Sequence, residues 1–173
     1  MRNLLVVVDM QNDFIDGSLG TKEAVAIVDN VIAEIAKYDT KDIFATRDTH
    51  PENYLETQEG KNLPVVHCVK GTDGWQINEK VKTALKDAVV IDKPPCGSKI
   101  LAEEITKIAE KEDITVTLVG LCTDICVDSN PILIKAYLPE IPVKVIASCC
   151  AGVTPESHEA ALATMRMCQV QVE

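Results

Sequence analysis

The chain is short of basic residues, of long apolar runs and of the glycine motifs that cradle nucleotides, and each shortage removes a class of function. Lys and Arg total 17 against 27 Asp and Glu, a formal net charge of -10. No Lys/Arg cluster breaks that charge locally, so the chain repels phosphate backbones and nucleic acid is not its partner. No segment is apolar for long enough to span a bilayer. The opening run, MRNLLVVVDMQND, is interrupted at Asp9, too soon for a signal core, and reads as a buried strand. No GxGxxG follows that strand and no GxxxxGK[ST] occurs anywhere, so no nucleotide cofactor is expected. Seven cysteines without an export signal point to free thiols in a reducing compartment, the cytoplasm. No repeat, low-complexity tract or change of composition divides the 173 residues, so 1–173 reads as a single domain.

What the chain does have is an alternation of strand and helix signals. Leu4 to Val8 is a continuous apolar run, as in a parallel strand covered on both faces. Residues 22–37 put Val25, Val28, Val31, Ile32 and Ile35 at helical spacing. Further strands are expected at 41–46, 88–91, 115–119 and 143–147, with a short last one at Val170 and Val172. Ser98 can cap a helix running to about residue 111, and Thr154 with Pro155 opens another to about 167. Residues 124–138 also look helical, with Pro131 restarting or kinking the element. The order predicts an α/β fold: a three-layer αβα sandwich around a Rossmann-like, mostly parallel sheet of about six strands.

In such a sheet functional side chains gather at the carboxyl ends of the strands. Those positions carry Asp9, Arg47-Asp48, Asp92-Lys93 and Gly120-Leu121-Cys122-Thr123, with Cys126 just beyond at a helix start. Early-helix amides can lower a thiol pKa and stabilise a nearby oxyanion. A carboxylate at Asp9 could accept the thiol proton, and an ammonium at Lys93 could stabilise the resulting charge. A buried structural thiol beside an Asp9–Lys93 ion pair satisfies the spacing equally well. Cys122 and Cys126 form CxxxC, which lacks the CxxC spacing of thioredoxin-type redox sites. Cys149-Cys150 reads as structural, and Cys68, Cys96 and Cys168 carry no functional case.

Asp48 and His50 can project from one short loop in RDTHPEN, and His67 opens HCVKGTDG. These ligand types suit zinc, iron or manganese, with Glu52, Glu56 or Glu59 as a further oxygen donor. A solvated acidic loop with a hydrogen-bonded histidine is the alternative. Trp75, the one tryptophan, either covers a ring-binding pocket or serves as a hydrophobic anchor or subunit contact.

DMQNDFIDGSLG (Asp9 to Gly20), the isolated Lys93 and GLCTDICV (Gly120 to Val127) resemble the isochorismatase-like cysteine hydrolases, particularly their nicotinamidase/pyrazinamidase branch. The resemblance implies a triad of Asp9, Lys93 and Cys126, in which the thiol attacks a carboxamide and a thioester is hydrolysed to the acid after ammonia leaves. It implies an oxyanion hole from the amides of Cys122 and Cys126, a cis peptide at Leu121-Cys122, and Phe14 beside an aromatic substrate; Phe is also an ordinary core residue, but its place after a catalytic strand end favours the pocket wall. The metal-binding Asp-x-His and later His of that branch match Asp48, His50 and His67. Many members have another His between them; here Glu59 fits that place best by spacing, and Glu56 second. The metal, zinc ahead of iron or manganese, would hold a pyridine nitrogen. His158 resembles a structural position, and NPILIKAY departs from the small Thr-Ala pair common after the nucleophile. The resemblance further implies a small amide substrate such as nicotinamide and a homodimer or homotetramer. A thiol hydrolase of another small amide or carbamoyl compound, and a noncatalytic α/β binding module, remain the competing readings. The vinyl-ether hydrolases of the wider family often lack the cysteine, so Cys126 weighs against that chemistry.

Overall fold

The strand–helix alternation becomes a six-stranded sheet in the computed structural model, which describes residues 1–173. The strands are β1 (Arg2–Val8), β2 (Ile43–Asp48), β3 (Val89–Lys93), β4 (Ile114–Leu121), β5 (Val143–Ala151) and β6 (Gln171–Val172). They pair in the order β3-β2-β1-β4-β5-β6, and every pairing is parallel. The helices are α1 (Asn12–Ile15), α2 (Lys22–Ile35), α3 (Gln58–Asn62), α4 (Glu79–Leu85), α5 (Lys99–Ala109), α6 (Asp128–Tyr137) and α7 (Pro155–Met167).

The period-two geometry of β1 explains the three layers. Leu4, Val6 and Val8 face one core with Leu101 and Ile105 of α5 and Leu162 and Met165 of α7. Leu5 and Val7 face the other, with Ile27, Val31 and Ile35 of α2 and Val81 and Leu85 of α4. A strand buried on both faces has no polar alternation, which is why its signal is an unbroken apolar run. Truncating a fully buried leucine such as Leu5 or Leu101 to alanine costs about 2–5 kcal/mol.

The expected caps are present. The hydroxyl of Ser98 accepts from the Leu101 amide, and that of Thr154 from the Ser157 amide, with Pro155 in the first turn. The stripe expected on α2 is rotated: Val25 is exposed, and Ala24 and Ile27 take the inward positions with Val28, Val31 and Ile35. Residues 124–138 are one continuous element of two pitches. A π-helical turn over Thr123–Val127 precedes α6, so the change of pitch falls just ahead of Pro131, which the helix then accommodates in its first turn.

The strand order places β1 between β2 and β4, so the carboxyl ends of β1, β2, β3 and β4 lie side by side. Gly120 tightens this edge. It has φ +121°, and a Cβ there would lie 2.1 Å from the Val8 carbonyl oxygen. Only glycine lets β4 approach β1 this closely, one residue before Asp9 on one strand and two before Cys122 on the other.

Candidate functional site

Asp9 leaves β1 with φ +46°, a conformation that turns its carboxylate into the fold. Its side chain is fully buried, as is that of Lys93 at the end of β3, and Cys126 in the π-helical turn is nearly so. Lys93 Nζ lies 2.8 Å from Asp9 Oδ2 and donates to Cys126 Sγ at 3.4 Å. That Asp9 oxygen is held by the ion pair with Lys93. The other, Oδ1, accepts from the Thr46 hydroxyl at 2.6 Å. Three strand ends thus bring together a thiol, a carboxylate and an ammonium that are far apart in sequence.

Burial decides the ionisation of this group. It pushes the Cys126 thiol well above its ordinary value, and the neighbouring Asp9 adds to the effect while Lys93 opposes it. The expected lowering by early-helix amides is therefore overridden: desolvation of a nearly buried thiolate outweighs it. Burial also raises the Asp9 carboxyl, against the pull of Lys93. Burial alone would lower Lys93, but Asp9, Cys126 and Asp48 together hold its ammonium well above the usual lysine range. Burial thus opposes a preformed thiolate and raises the basicity of Asp9. That pairing suits proton transfer at the moment of attack more than a preformed thiolate.

A second constellation adjoins the first. One ligand atom from each of Asp48, His50, Glu59 and His67 lies within 4.8 Å of the others. His50 Nε2 is 2.8 Å from Asp48 Oδ2, and His67 Nε2 is 3.6 Å from the same oxygen and 3.5 Å from Glu59 Oε1. The histidine segments are tied together through backbone: the His50 amide donates to the Cys68 carbonyl, and the Lys70 amide to that of His50. His67 Nδ1 sits 2.7 Å from the Val65 carbonyl oxygen, so with the proton on Nδ1 the Nε2 lone pair faces the cluster. Tyr54, fully buried, packs its ring edge-on to both imidazoles at 4.8 and 5.0 Å.

The cluster fits a divalent cation. Asp48 Oδ1 and Glu59 Oε2 are buried oxygens without a hydrogen-bond partner, which is costly unless a cation satisfies them. Burial raises Asp48, but His50, His67 and Lys93 outweigh it and hold the carboxyl well below the usual range. Burial raises the Glu59 carboxyl. Two carboxylates and two imidazoles are a donor set suited to zinc, iron or manganese. Lys93 Nζ is 3.9 Å from Asp48 Oδ1, so one ammonium touches both constellations. Glu56 instead accepts from exposed Asn53, and Glu52 is exposed outside the cluster.

Both groups open on a cavity of about 650 Å³ whose lining includes Phe14, Asp48, Glu59, His67, Cys122 and Cys126. Trp75 does not line it. Its indole donates to the Thr49 hydroxyl at 2.9 Å and stacks under the Arg47 guanidinium at 3.6 Å, so it anchors the loop behind the site. Burial pushes the Cys122 thiol up to about 12, which keeps it protonated. The Leu121-Cys122 peptide is cis. His158 hydrogen-bonds the buried Thr123 hydroxyl at 2.8 Å and stays outside the reacting groups.

Sequence reasoning missed two buried polar residues. Thr46 holds Asp9, and Gln11 donates from Nε2 to the carbonyls of Asp48 and Trp75 while accepting the Asp48 amide on Oε1 at 2.7 Å. Thr46 had no signal beyond an odd hydroxyl in an apolar strand. Gln11 had only its place between Asp9 and Asp13 in DMQND.

The Isochorismatase domain family matches residues 3–173. The chain is 27% identical to the nicotinamidase/pyrazinamidase of Mycobacterium tuberculosis over 183 residues, covering 97% of this chain and 96% of that protein. Its structure superposes on the zinc complex of the pyrazinamidase of Pyrococcus horikoshii with a TM-score of 0.84, at 28% identity, over 100% of this chain and 99% of that one. The pyrazinamidase/nicotinamidase of Streptococcus mutans gives a TM-score of 0.81, also at 28% identity, over 99% of each chain. With the family match spanning nearly the whole chain and the sheet, cluster and thiol in the arrangement described, the chain belongs to the isochorismatase family.

Proposed function

We propose that this protein is a nicotinamidase-like amidohydrolase that converts a small aromatic carboxamide to its acid and ammonia through a thioester on Cys126. The observation that carries the reading is the position of Lys93 Nζ, 2.8 Å from Asp9 and 3.4 Å from Cys126, with Cys126 lining the same cavity as Asp48, Glu59 and His67 of the ligand cluster. Its relatives named as nicotinamidases and pyrazinamidases support the substrate class.

As Cys126 Sγ attacks the carboxamide carbon, its proton passes to Asp9. Asp9 returns that proton to the departing nitrogen, which leaves as ammonia. A water then attacks the thioester while Asp9 accepts its proton, and the acid departs as the thiol re-forms. Lys93 keeps Asp9 in place and offsets negative charge throughout. The amides of Cys122 and Cys126 would stabilise the tetrahedral oxyanion. Phe14 would pack against the ring.

Asp48, His50, Glu59 and His67 would hold a divalent metal, for which the zinc in the Pyrococcus relative supports zinc. When bound, that ion supplies a Lewis-acid partner for a ring nitrogen. The unbroken sheet supports reading residues 1–173 as one hydrolase domain, and the unpaired cysteines support the cytoplasm as its compartment. No helix is long and apolar enough to cross a membrane. Family membership supports assembly as a homodimer or homotetramer.

The test is ammonia release from nicotinamide, pyrazinamide and small carbamoyl amides by the metal-loaded protein. Turnover of the aromatic amides that disappears in Cys126→Ala is expected. Release from carbamoyl compounds alone would overturn the substrate assignment.

A further inference from the structure

The cavity beside Cys126 offers more space, and more apolar wall, than one unsubstituted pyridine ring needs. Its volume of about 650 Å³ falls within the range of about 300–1,000 Å³ that encloses drug-sized ligands. The lining changes character along its depth. Phe14, Asp48, His67, Leu121 and Cys126 are buried, whereas Leu63, Pro95, Ile125 and Val153 are exposed. Those four apolar side chains come from four separate segments: the residue after α3, the turn after β3, the π-helical turn, and the loop between β5 and α7. Leu63, Ile125 and Val153 are 37%, 41% and 53% exposed, among the larger apolar side chains left facing water. Their convergence gives this cavity an apolar outer wall. The only charged residues in the lining are Asp48 and Glu59, and both belong to the ligand cluster, so the outer wall carries no group to pair with a charged substituent.

We infer that the substrate of this site is an aryl carboxamide bearing a neutral apolar substituent, seated against Leu63, Pro95, Ile125 and Val153. The inference rests on the amidohydrolase reading above. The continuity of the apolar wall with the thiol and the cluster favours the substrate itself as the covering group. An amide held at Cys126 with its ring nitrogen toward the ligand cluster would leave the opposite ring edge, around carbon 5, for the remaining lining of the same cavity, which includes this wall. Each methylene buried there should tighten binding about four-fold, the equivalent of about 0.8 kcal/mol.

Binding of a series of nicotinamides with methyl to butyl groups at ring carbon 5 tests this directly. Dissociation constants are measured by titration calorimetry on the metal-loaded, full-length Cys126→Ala protein, where no turnover intervenes. Ammonia release is measured in parallel with the natural sequence. The expected result is a Kd at least ten-fold lower for the butyl compound than for nicotinamide. The ratio should fall by half or more in a Leu63→Ser/Val153→Ser background; taking the ratio within each background cancels any change in ring binding. A flat or rising Kd across the series would overturn the inference, as would occur if a second copy of the chain covers the wall. A falling Kd without ammonia from any of the amides would leave the apolar subsite standing and overturn the amidohydrolase reading instead.

Discussion

Replacing Lys93 with methionine removes the charge that both constellations share while keeping most of the side-chain volume. In the natural protein the ammonium is fully buried, 2.8 Å from Asp9 and 3.9 Å from Asp48. Its loss leaves the Asp9 carboxylate buried without its ionic partner, and breaking a buried pair on one side costs about 3–5 kcal/mol. The penalty depends on pH in a defined direction. Burial already holds the Asp9 carboxyl above its ordinary value, and without Lys93 it rises further. Below both folded-state values Asp9 is neutral in either protein and the difference is small. It grows as pH rises from the natural protein's Asp9 value to the variant's higher one, and is constant above that. Urea unfolding at several pH values measures it. Asp9→Asn in the same background should recover most of the loss, because a neutral amide does not need the ammonium. Turnover should fall about 100-fold or more, in keeping with a displaced general base. A stability loss that shrinks as pH rises would refute the reasoning.

Thr46→Val keeps the shape and removes the 2.6 Å hydrogen bond to Asp9, so stability should drop by about 1.5–3 kcal/mol in thermal or urea unfolding, with a lower kcat and little change in KM. His50→Ala should abolish tight metal retention, read by elemental analysis after dialysis, and raise KM for nicotinamide, while an activated ester without a ring nitrogen still acylates Cys126; full retention of metal would discard the ligand assignment. Gly120→Ala should destabilise by more than about 2 kcal/mol, since its Cβ would meet the Val8 carbonyl at 2.1 Å in a left-handed conformation. Limited iodoacetamide should label exposed Cys96 ahead of Cys126, whose thiol is buried and pushed up by that burial, and activity should follow only the Cys126 peptide in mass mapping.

The parts of this molecule that were legible from its residues are those whose physics is local. Leu4 to Val8 and Ile114 to Leu121 are apolar without alternation because both sheet faces are covered, and Ser98 and Thr154 announce their helices by capping. Helices α1, α3 and α4 were not legible because they are short. α3, QEGKN, has no apolar stripe and is held by the Thr57 cap and the Gly60 backbone packed against Tyr54. The strand ends identified Asp9, Lys93 and Cys126 as candidates, but their convergence depends on the order β3-β2-β1-β4, which no local pattern encodes. Asp48, His50 and His67 were legible as ligand types; that Glu59 and not Glu56 completes the cluster depends on the turn of α3. Trp75 was open between a ring-binding wall and a hydrophobic anchor, because aromaticity suits both; its partners, Thr49 and Arg47, lie behind the site and fit the anchor. The thiol misled for an electrostatic reason: nearby amides are visible in a sequence, and the depth of burial that overrides them is not.

The central claim is that Cys126 forms a covalent acyl intermediate during amide hydrolysis. Acid quenching of the metal-loaded protein during nicotinamide turnover, followed by proteolysis and mass spectrometry, tests it most directly. The account predicts a nicotinoyl group on the peptide containing Cys126, absent from Cys126→Ala, which also releases no ammonia. Ammonia release by that variant at a rate near the natural one, or an acyl group on any other residue, would contradict it.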